Sequence, residues 1–187
     1  MNLKKLFLKY CTDKKFEINQ SQVEIINHLQ DYYIQNFKQS FFDNLFKKKS
    51  KKIGFYLAGD VGVGKTMILN FFFNQLKQKK LRLHFNEFMI NFHDFIFQNK
   101  NNDKKNIIDT FVKDLKIKTE IIYFDEFQVT NIVDAMILGK LFSKIFEENI
   151  RVIFSSNINI NNLYKDGLQR DQFKPFIMIL KKYCYEK

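Results

Sequence analysis

The part of this 187-residue chain that most restricts its fold is a run of eight residues from Gly59 to Thr66. The run, GDVGVGKT, matches the spacing G-x-x-x-x-G-K-[ST] in full. Four of the six glycines in the chain, Gly54, Gly59, Gly62 and Gly64, lie in it or just before it. Glycines permit positive φ and let backbone N–H groups approach phosphate oxygens closely. The run is therefore predicted to be a phosphate-binding loop.

The residues on either side of the loop have the patterns of a strand and a helix. Residues 53–58 are apolar, as in a buried strand, and a helix is predicted over about 64–79. The amides at the start of such a helix bind anions. Lys65 is expected to bridge the β- and γ-phosphates of ATP, and the Thr66 hydroxyl to bind Mg²⁺. The predicted nucleotide-binding residues are Gly59, Asp60, Val61, Gly62, Val63, Gly64, Lys65, Thr66 and Met67.

A pair of acidic residues follows a second apolar stretch. Asp125 and Glu126 come directly after the predicted strand 120–124, and ligands of parallel sheets bind outside the carboxyl ends of the strands. Asp125 is expected to bind Mg²⁺, and Glu126 to polarise an attacking water. The alternative is that both residues only begin a turn. A catalytic glutamate at this place favours hydrolysis over transfer of the phosphoryl group to a small molecule.

Two more polar residues are candidates for the reaction. Asn157 follows the predicted strand 151–155, where its amide would orient the water or contact the γ-phosphate, although Asn is also an ordinary turn residue. Arg170 is one of only three arginines among 31 cations. Because a guanidinium can fork onto a phosphate, Arg170 is a candidate arginine finger toward a neighbouring subunit. A surface ion pair with Asp166 or Asp171 is the alternative.

The order of the predicted elements indicates an α/β fold with a parallel sheet covered by helices on both faces. The predicted strands are 53–58, 81–85, 120–124 and 151–155. The predicted helices are one from Asn19–Gln22 to about Lys48, then 64–79, 87–97, 107–115, one capped by Thr130, and segments around 162–168 and 172–182. With no repeats or Pro/Gly-rich linker, residues 1–187 are interpreted as one domain, with 1–50 as a helical lead-in and 51–187 as the nucleotide-binding core.

The net charge of +11 allows binding to nucleic acid, lipid or acidic proteins, but it does not favour nucleic acid, because lysines at helix ends account for much of it. No recognisable nucleic-acid-binding module is found. Cys11 and Cys184 are interpreted as small buried residues of a reducing compartment. No apolar run is long enough to span a bilayer, and the N-terminus has no signal peptide pattern.

Four segments together resemble one known family. They are GDVGVGKTMILNFFF, LHFNEFMINFHDF, IIYFDEFQVTNIVDAMILGKLF and SSNININNLYKDGLQRDQFKPFI, in this order. The chain, from about residue 17 to its end, is similar to the ZapE/AFG-one-like ATPases. The phosphate loop is shared by many families, whereas FDEFQVTNIVDAM and LYKDGLQRDQFKPFI are specific to this one.

The resemblance implies an AAA+-like ATPase core of the P-loop NTPase class, with the residues named above in the roles given and Arg170 as the finger. It also implies a ring-like homo-oligomer acting on protein partners. These would be components of bacterial cell division, at the cytoplasmic face of the inner membrane, or membrane complexes handled in the mitochondrial matrix. Gln22 lies where family members carry a glutamine that contacts adenine.

Members of the family continue through a final strand and a small helical lid over the nucleotide. This sequence ends at Lys187, near the expected start of that strand, so the lid is expected to be missing. Three functions follow as hypotheses. The first is an Mg²⁺-dependent ATP hydrolase that remodels or regulates protein partners. The others are an ATP-binding switch with little turnover and a helicase-loader-like ATPase on DNA.

Overall fold

The structure is a computed structural model that describes residues 1–38, 52–99 and 107–187. The chain divides into two compact units, one formed by Met1–Ser50 with Gly62–Leu76 and the other by Lys51–Val61 with Lys77–Lys187. The predicted organisation into a lead-in and a core stays a prediction. The contacts group residues 62–76 with the N-terminal residues.

The described part of the first unit is helical. It contains α1 (Leu3–Lys14), α2 (Gln20–Tyr33), a π-helical turn (Ile34–Lys38) and α3 (Lys65–Gln75). Helix α2 begins where predicted, because the Asn19 side chain accepts a hydrogen bond from the backbone N–H of Ser21. The predicted continuation to Lys48, with Phe41 and Leu45, falls largely on residues outside the described ranges. Helix α1 was not predicted.

Apolar side chains of all three helices are buried in the first unit. They are Leu3, Phe7 and Cys11 of α1, Val23, Ile26, Leu29 and Tyr32 of α2, and Ile68, Leu69, Phe71 and Phe72 of α3. The Phe7 ring packs edge-on against Phe71, with centroids 5.2 Å apart, and Tyr32 packs against Phe72 at 6.2 Å. The Gln30 side chain accepts a hydrogen bond of 2.7 Å from the Leu3 N–H, which ties α1 to α2.

The second unit contains a parallel sheet. Its strands are β1 (Gly54–Ala58), β2 (Lys80–His84), β3 (Ile121–Asp125), β4 (Arg151–Ser156) and β5 (Cys184–Glu186). The strands lie in the order β2-β3-β4-β1-β5, and all neighbours are parallel. The four predicted strands agree with β1–β4 to within one residue at either end. The predicted α/β class is confirmed.

The described part of this unit also contains four α-helices. They are α4 (Phe85–Gln98), α5 (Ile107–Lys118), α6 (Ile132–Glu147) and α7 (Arg170–Tyr183). Their apolar residues share one core with Tyr56, Phe124 and Phe154 of the sheet. Phe55 and Ile153, which alternate with these residues along the strands, are also buried. Burial of both faces explains why the strands are apolar runs without polar alternation.

Several boundaries differ from the prediction. Asn131, not Thr130, caps α6, because the Asn131 side chain accepts a hydrogen bond from the Val133 N–H. The predicted helix over 162–168 is only a 3₁₀ turn, Ile160–Asn162, followed by turns. Arg170 is the first residue of the last helix and does not precede it.

The C-terminal residues also extend the sheet further than predicted. Residues Cys184–Glu186 already form β5, which pairs with β1. Cys11 and Cys184 are both buried, as predicted. Among the described residues, none of the helices combines the length and the apolarity needed to cross a bilayer.

Candidate functional site

The backbone of the predicted phosphate loop turns twice through the left-handed region. Gly62 has φ of 87° and Gly64 has φ of 88°, a conformation that only glycine adopts without strain. A Cβ at Gly62 would meet no atom of the described residues within 4 Å, whereas a Cβ at Gly64 would lie 2.8 Å from Nε2 of Gln22. Both glycines therefore have the geometry that the sequence pattern predicts, and their binding role stays a prediction.

The loop continues into the N-terminus of α3. Gly64 is the N-cap, and within the described ranges no side chain caps this end, so the amides and the positive dipole end suit an anion. Lys65, the first helical residue, is only 7% exposed. A lysine is rarely so buried without a partner or a ligand. The predicted phosphate-binding residues Thr66 and Met67 follow it in the first turn.

Gln22 contacts the loop from α2. Its Nε2 donates a hydrogen bond of 3.3 Å to the Val63 carbonyl. Its Oε1 is buried and accepts no hydrogen bond from any described residue. The residue therefore positions the backbone between the two left-handed glycines, and its predicted contact with adenine stays a prediction.

Asp125 is the last residue of β3 and is only 5% exposed. Both carboxylate oxygens accept hydrogen bonds. Nη2 of Arg82 lies 2.5 Å from Oδ2, and the Tyr123 hydroxyl donates to Oδ1 over 3.1 Å. Burial, and then the charge of Asp125, raise the pKa of Tyr123, so that its hydroxyl remains a donor at any ordinary pH. The predicted metal ligand is thus held by a cation and a phenol.

Glu126 follows in a strained turn. Its φ is 54°, in the left-handed region that is uncommon for a residue with a side chain, and the residue is exposed. The next residue, Phe127, anchors the turn, since its N–H donates to the Ser155 carbonyl over 2.6 Å. Strain of this kind concentrates at functional sites. It lets Asp125 remain buried while the adjacent carboxylate faces solvent.

Glu126 and Asn157 line one pocket of about 230 Å³, together with Phe127, Gln128 and Ile158. The structure therefore brings the candidate base and the candidate amide together at the carboxyl ends of the adjacent strands β3 and β4.

Ser156 joins the two loops that border this pocket. Its hydroxyl donates to the Phe127 carbonyl over 2.7 Å and accepts from the Ile158 N–H over 3.1 Å. The Tyr56 hydroxyl donates to the Ile158 carbonyl over 2.7 Å and steadies the same loop. Ser156 is 1% exposed, and its hydrogen bond to the Phe127 carbonyl is buried and shielded from water.

Arg170 lies at the start of α7. Its Nη2 donates to the Asn161 carbonyl over 2.7 Å, within the same unit. Asp171 pairs with Lys174 at 2.6 Å. Lys174 lowers the pKa of Asp171, and the charge of Arg170 adds to the same effect, so the alternative of a surface ion pair for Arg170 stays open.

The sequence did not predict that Arg82, Tyr123 and Ser156 belong to this site. The signal for Arg82 was present, because a chain that uses lysine for nearly every cation places an arginine in a strand. Tyr123 and Ser156 became candidates only when the structure gave the strand ends and their partners.

The donor atoms present are chemically suited to Mg²⁺. Asp125 and Thr66 offer hard oxygen donors, and Mg²⁺ in nucleotide sites takes one or two protein ligands with phosphates and water. The two residues belong to different units, and their joint role stays a prediction. No group of three His, Cys, Asp or Glu side chains within residues 1–38, 52–99 and 107–187 could hold a metal ion.

The strand order, the glycine-rich loop before α3 and the acidic end of β3 define the fold as a P-loop NTPase of the AAA+-like type. The structure is similar to the crystal structure of DnaI, with a TM-score of 0.57 and 18% identity over 92% of this chain and 87% of the matched crystal chain. AMPPCP-bound DnaA from Aquifex aeolicus gives a TM-score of 0.51 at 15% identity, over 92% of this chain and 48% of DnaA. These similarities show the fold alone.

The chain belongs to the AFG1-like ATPase family, whose model matches residues 1–185. Cell division protein ZapE from Escherichia coli K12 is 39% identical over 134 residues, which are 70% of this chain and 35% of ZapE. Lactation elevated protein 1 homolog B from Danio rerio is 40% identical over 141 residues, which are 70% of this chain and 28% of that protein. The chain thus spans about a third of the length of these relatives.

Proposed function

We propose that this chain binds ATP with Mg²⁺ and hydrolyses the β–γ phosphoanhydride bond. Membership of an ATPase family supports nucleotide binding. The observation that carries hydrolysis is the pocket shared by Glu126 and Asn157, in which a strained backbone holds a carboxylate in solvent beside an amide. A phosphate loop alone would serve a small-molecule kinase equally well. The Glu126 carboxylate adds a base that can accept a proton from the attacking water.

The proposed reaction assigns one task to each residue. The backbone amides of residues 59–66 and the Lys65 ammonium hold the β- and γ-phosphates. Thr66 and Asp125 would hold Mg²⁺, which when bound neutralises phosphate charge. Glu126 accepts a proton from a water molecule as its oxygen attacks the γ-phosphorus. The bond to the β–γ bridging oxygen breaks, giving ADP and inorganic phosphate, and Asn157 orients the water or contacts the γ-phosphate.

The decisive experiment measures phosphate release and ATP affinity for the wild type and for Glu126→Gln. The variant keeps the size and polarity of the side chain and removes the base, so the rate should fall about a hundredfold or more while affinity is kept. Glu120→Gln is the matched control, because Glu120 lies just before the other end of β3. Equal rates near background for the wild type and Glu126→Gln would contradict hydrolysis.

That same result, combined with ATP binding, would support an ATP-binding switch with little turnover. A helicase-loader-like role on DNA rests only on the net charge of +11. It would require ATP hydrolysis that DNA stimulates and DNA affinity that falls steeply with salt.

Assembly and partners extend the proposal. We infer that Arg170 contacts the γ-phosphate of a neighbouring copy in a ring-like homo-oligomer, which requires its guanidinium to leave the Asn161 carbonyl. Because a similar protein is named for cell division, protein partners at the cytoplasmic face of the inner membrane are proposed, or membrane complexes in the mitochondrial matrix. Sizing with and without ATP and Mg²⁺ tests assembly. Arg170→Ala should abolish hydrolysis and spare affinity, and full activity of that variant would remove the finger role.

A further inference from the structure

The ion pair between Arg82 and Asp125 is built into the sheet. Arg82 on β2 lies directly opposite Tyr123 on β3, and Asp125 lies two residues further along β3, on the same face as Tyr123. The Arg82 guanidinium lies 5.4 Å from the centre of the Tyr123 ring and donates to Asp125. Strand register, aromatic contact and hydrogen bond therefore all hold the guanidinium at one carboxylate oxygen.

The pair balances a charge that is otherwise costly. The Asp125 side chain is 7% exposed, and a carboxylate so far from water needs a partner. The Arg82 side chain is 43% exposed, so it can turn toward solvent without crossing the core. Asp125 is therefore held in place by burial, whereas the Arg82 side chain can move away from it.

A metal ion at Asp125 would meet this guanidinium directly. Mg²⁺ binds carboxylate oxygens at about 2.0–2.1 Å, and Oδ2 already accepts from Arg82. Two like charges on one carboxylate repel each other, and the repulsion is strong where water is scarce. The Tyr123 hydroxyl is neutral and does not repel the ion.

We propose that Arg82 is a positioning residue that holds Asp125 until Mg²⁺ replaces it. Arg82 thereby sets the Mg²⁺ concentration at which nucleotide binds tightly. The inference rests on the proposed function, which assigns Asp125 to the metal. Arg82 keeps the carboxylate oriented and charge-balanced without metal, and metal entry frees the guanidinium into the solvent beside the site.

The test compares Arg82→Gln and Arg82→Lys with the wild type in the binding of a non-hydrolysable ATP analogue at graded Mg²⁺. Without the positive charge, the Mg²⁺ concentration for half-maximal binding should fall by roughly threefold to tenfold in Arg82→Gln. Arg82→Lys should shift it in the same direction by less, because lysine keeps the charge but not the planar fork. Arg151→Gln is the matched control, since Arg151 is at the opposite end of the neighbouring strand β4.

A second readout is thermal melting without nucleotide and with Mg²⁺ plus the analogue. Arg82→Gln should melt lower than the wild type without ligand, because the buried Asp125 carboxylate loses the guanidinium that balances its charge. It should gain more on adding ligand, because the metal restores the balance. If Arg82→Gln does not fold, the smaller shift in Arg82→Lys decides.

The outcomes separate this inference from the proposed function. If the analogue binds the wild type equally tightly at all Mg²⁺ concentrations, the assignment of Asp125 to the metal is wrong, and the inference fails with it. A wild type that depends on Mg²⁺, with both variants unchanged or needing more Mg²⁺, would overturn only the role of Arg82. A shift of equal size in Arg151→Gln would also overturn that role, because a general loss of positive charge would then explain the result.

Discussion

The phosphate loop and the carboxyl ends of β3 and β4 are held in place by different kinds of interaction. The loop takes its course from the backbone, through the left-handed glycines Gly62 and Gly64. The strand ends take theirs from side chains, since Arg82 and Tyr123 fix Asp125. Ser156 fixes the two loops beside the pocket in the same way.

This difference predicts two kinds of sensitivity. A conformation set by glycine fails when any Cβ is added, because the left-handed region costs about 1–2 kcal/mol for other residues. A conformation set by buried hydrogen bonds fails when a single hydroxyl is removed, because its partners stay buried without an alternative. An added Cβ disturbs the backbone of the loop, whereas a lost hydroxyl disturbs the alignment of the reacting groups.

Among the substitutions that test this comparison, removal of the Ser156 hydroxyl should have the largest effect. In Ser156→Ala the Phe127 carbonyl and the Ile158 N–H lose a buried partner, so Glu126 and Asn157 lose their fixed spacing. We expect phosphate release to fall about tenfold or more, since small misplacements are costly in catalysis, with ATP affinity almost unchanged. Rates of phosphate release and equilibrium binding of ATP check this.

Ser155→Ala is the matched control for Ser156→Ala. Ser155 is the preceding residue and is almost as buried, at 2% exposed against 1%. Both variants should lose stability, whereas only Ser156→Ala should lose the rate. An equal loss of rate in the two variants would contradict the comparison, because it would make the effect one of general packing.

The glycine-shaped loop should show a smaller effect, in stability. Gly62→Ala and Gly64→Ala each place a Cβ in the left-handed region and should each cost about 1–2 kcal/mol of unfolding free energy. Gly64→Ala should cost about 0.5–1.5 kcal/mol more, because its Cβ displaces the Gln22 amide that holds the Val63 carbonyl. Urea denaturation of both variants measures the difference. Equal costs would show that Gln22 does not restrain the loop.

The same contrast explains what the sequence could predict. The loop depends on residue types at a fixed spacing along the chain, so the pattern and the geometry of Gly62 and Gly64 agree. The four central strands were also predictable, because burial on both faces leaves continuous apolar runs. The positions of Asp125, Glu126 and Asn157 could be predicted in the same way, because they lie where the apolar runs of β3 and β4 end.

The remaining features depend on contacts that spacing does not contain. The role of Arg82 requires the pairing of β2 with β3, and that of Ser156 requires a partner 29 positions earlier in the chain. Helix α1 has helical spacing, since Leu3, Phe7 and Cys11 recur every four residues, but its lysine-rich sequence is equally typical of the start of a targeting signal. Thr130 and Asn131 are both good N-cap residues, and Asn131 is identified as the cap only by the hydrogen bond that its side chain accepts from the Val133 N–H.

The smallest expected effect at neutral pH concerns Tyr123 and sharpens the comparison at high pH. Its pKa in the folded protein is raised, chiefly by burial, above the ordinary value near 10 that the unfolded chain has. The contribution of the Tyr123 hydroxyl to the free energy of unfolding is therefore complete below about pH 10 and is lost as pH rises above it, because only the unfolded chain releases the proton.

Tyr123→Phe removes this dependence and one hydrogen bond to Asp125. We expect the variant to be about 1 kcal/mol less stable at pH 8, with the gap narrowing between pH 10 and 11 in parallel urea denaturation series. A gap that is constant or widens would show that the phenol does not hold Asp125 as a neutral donor.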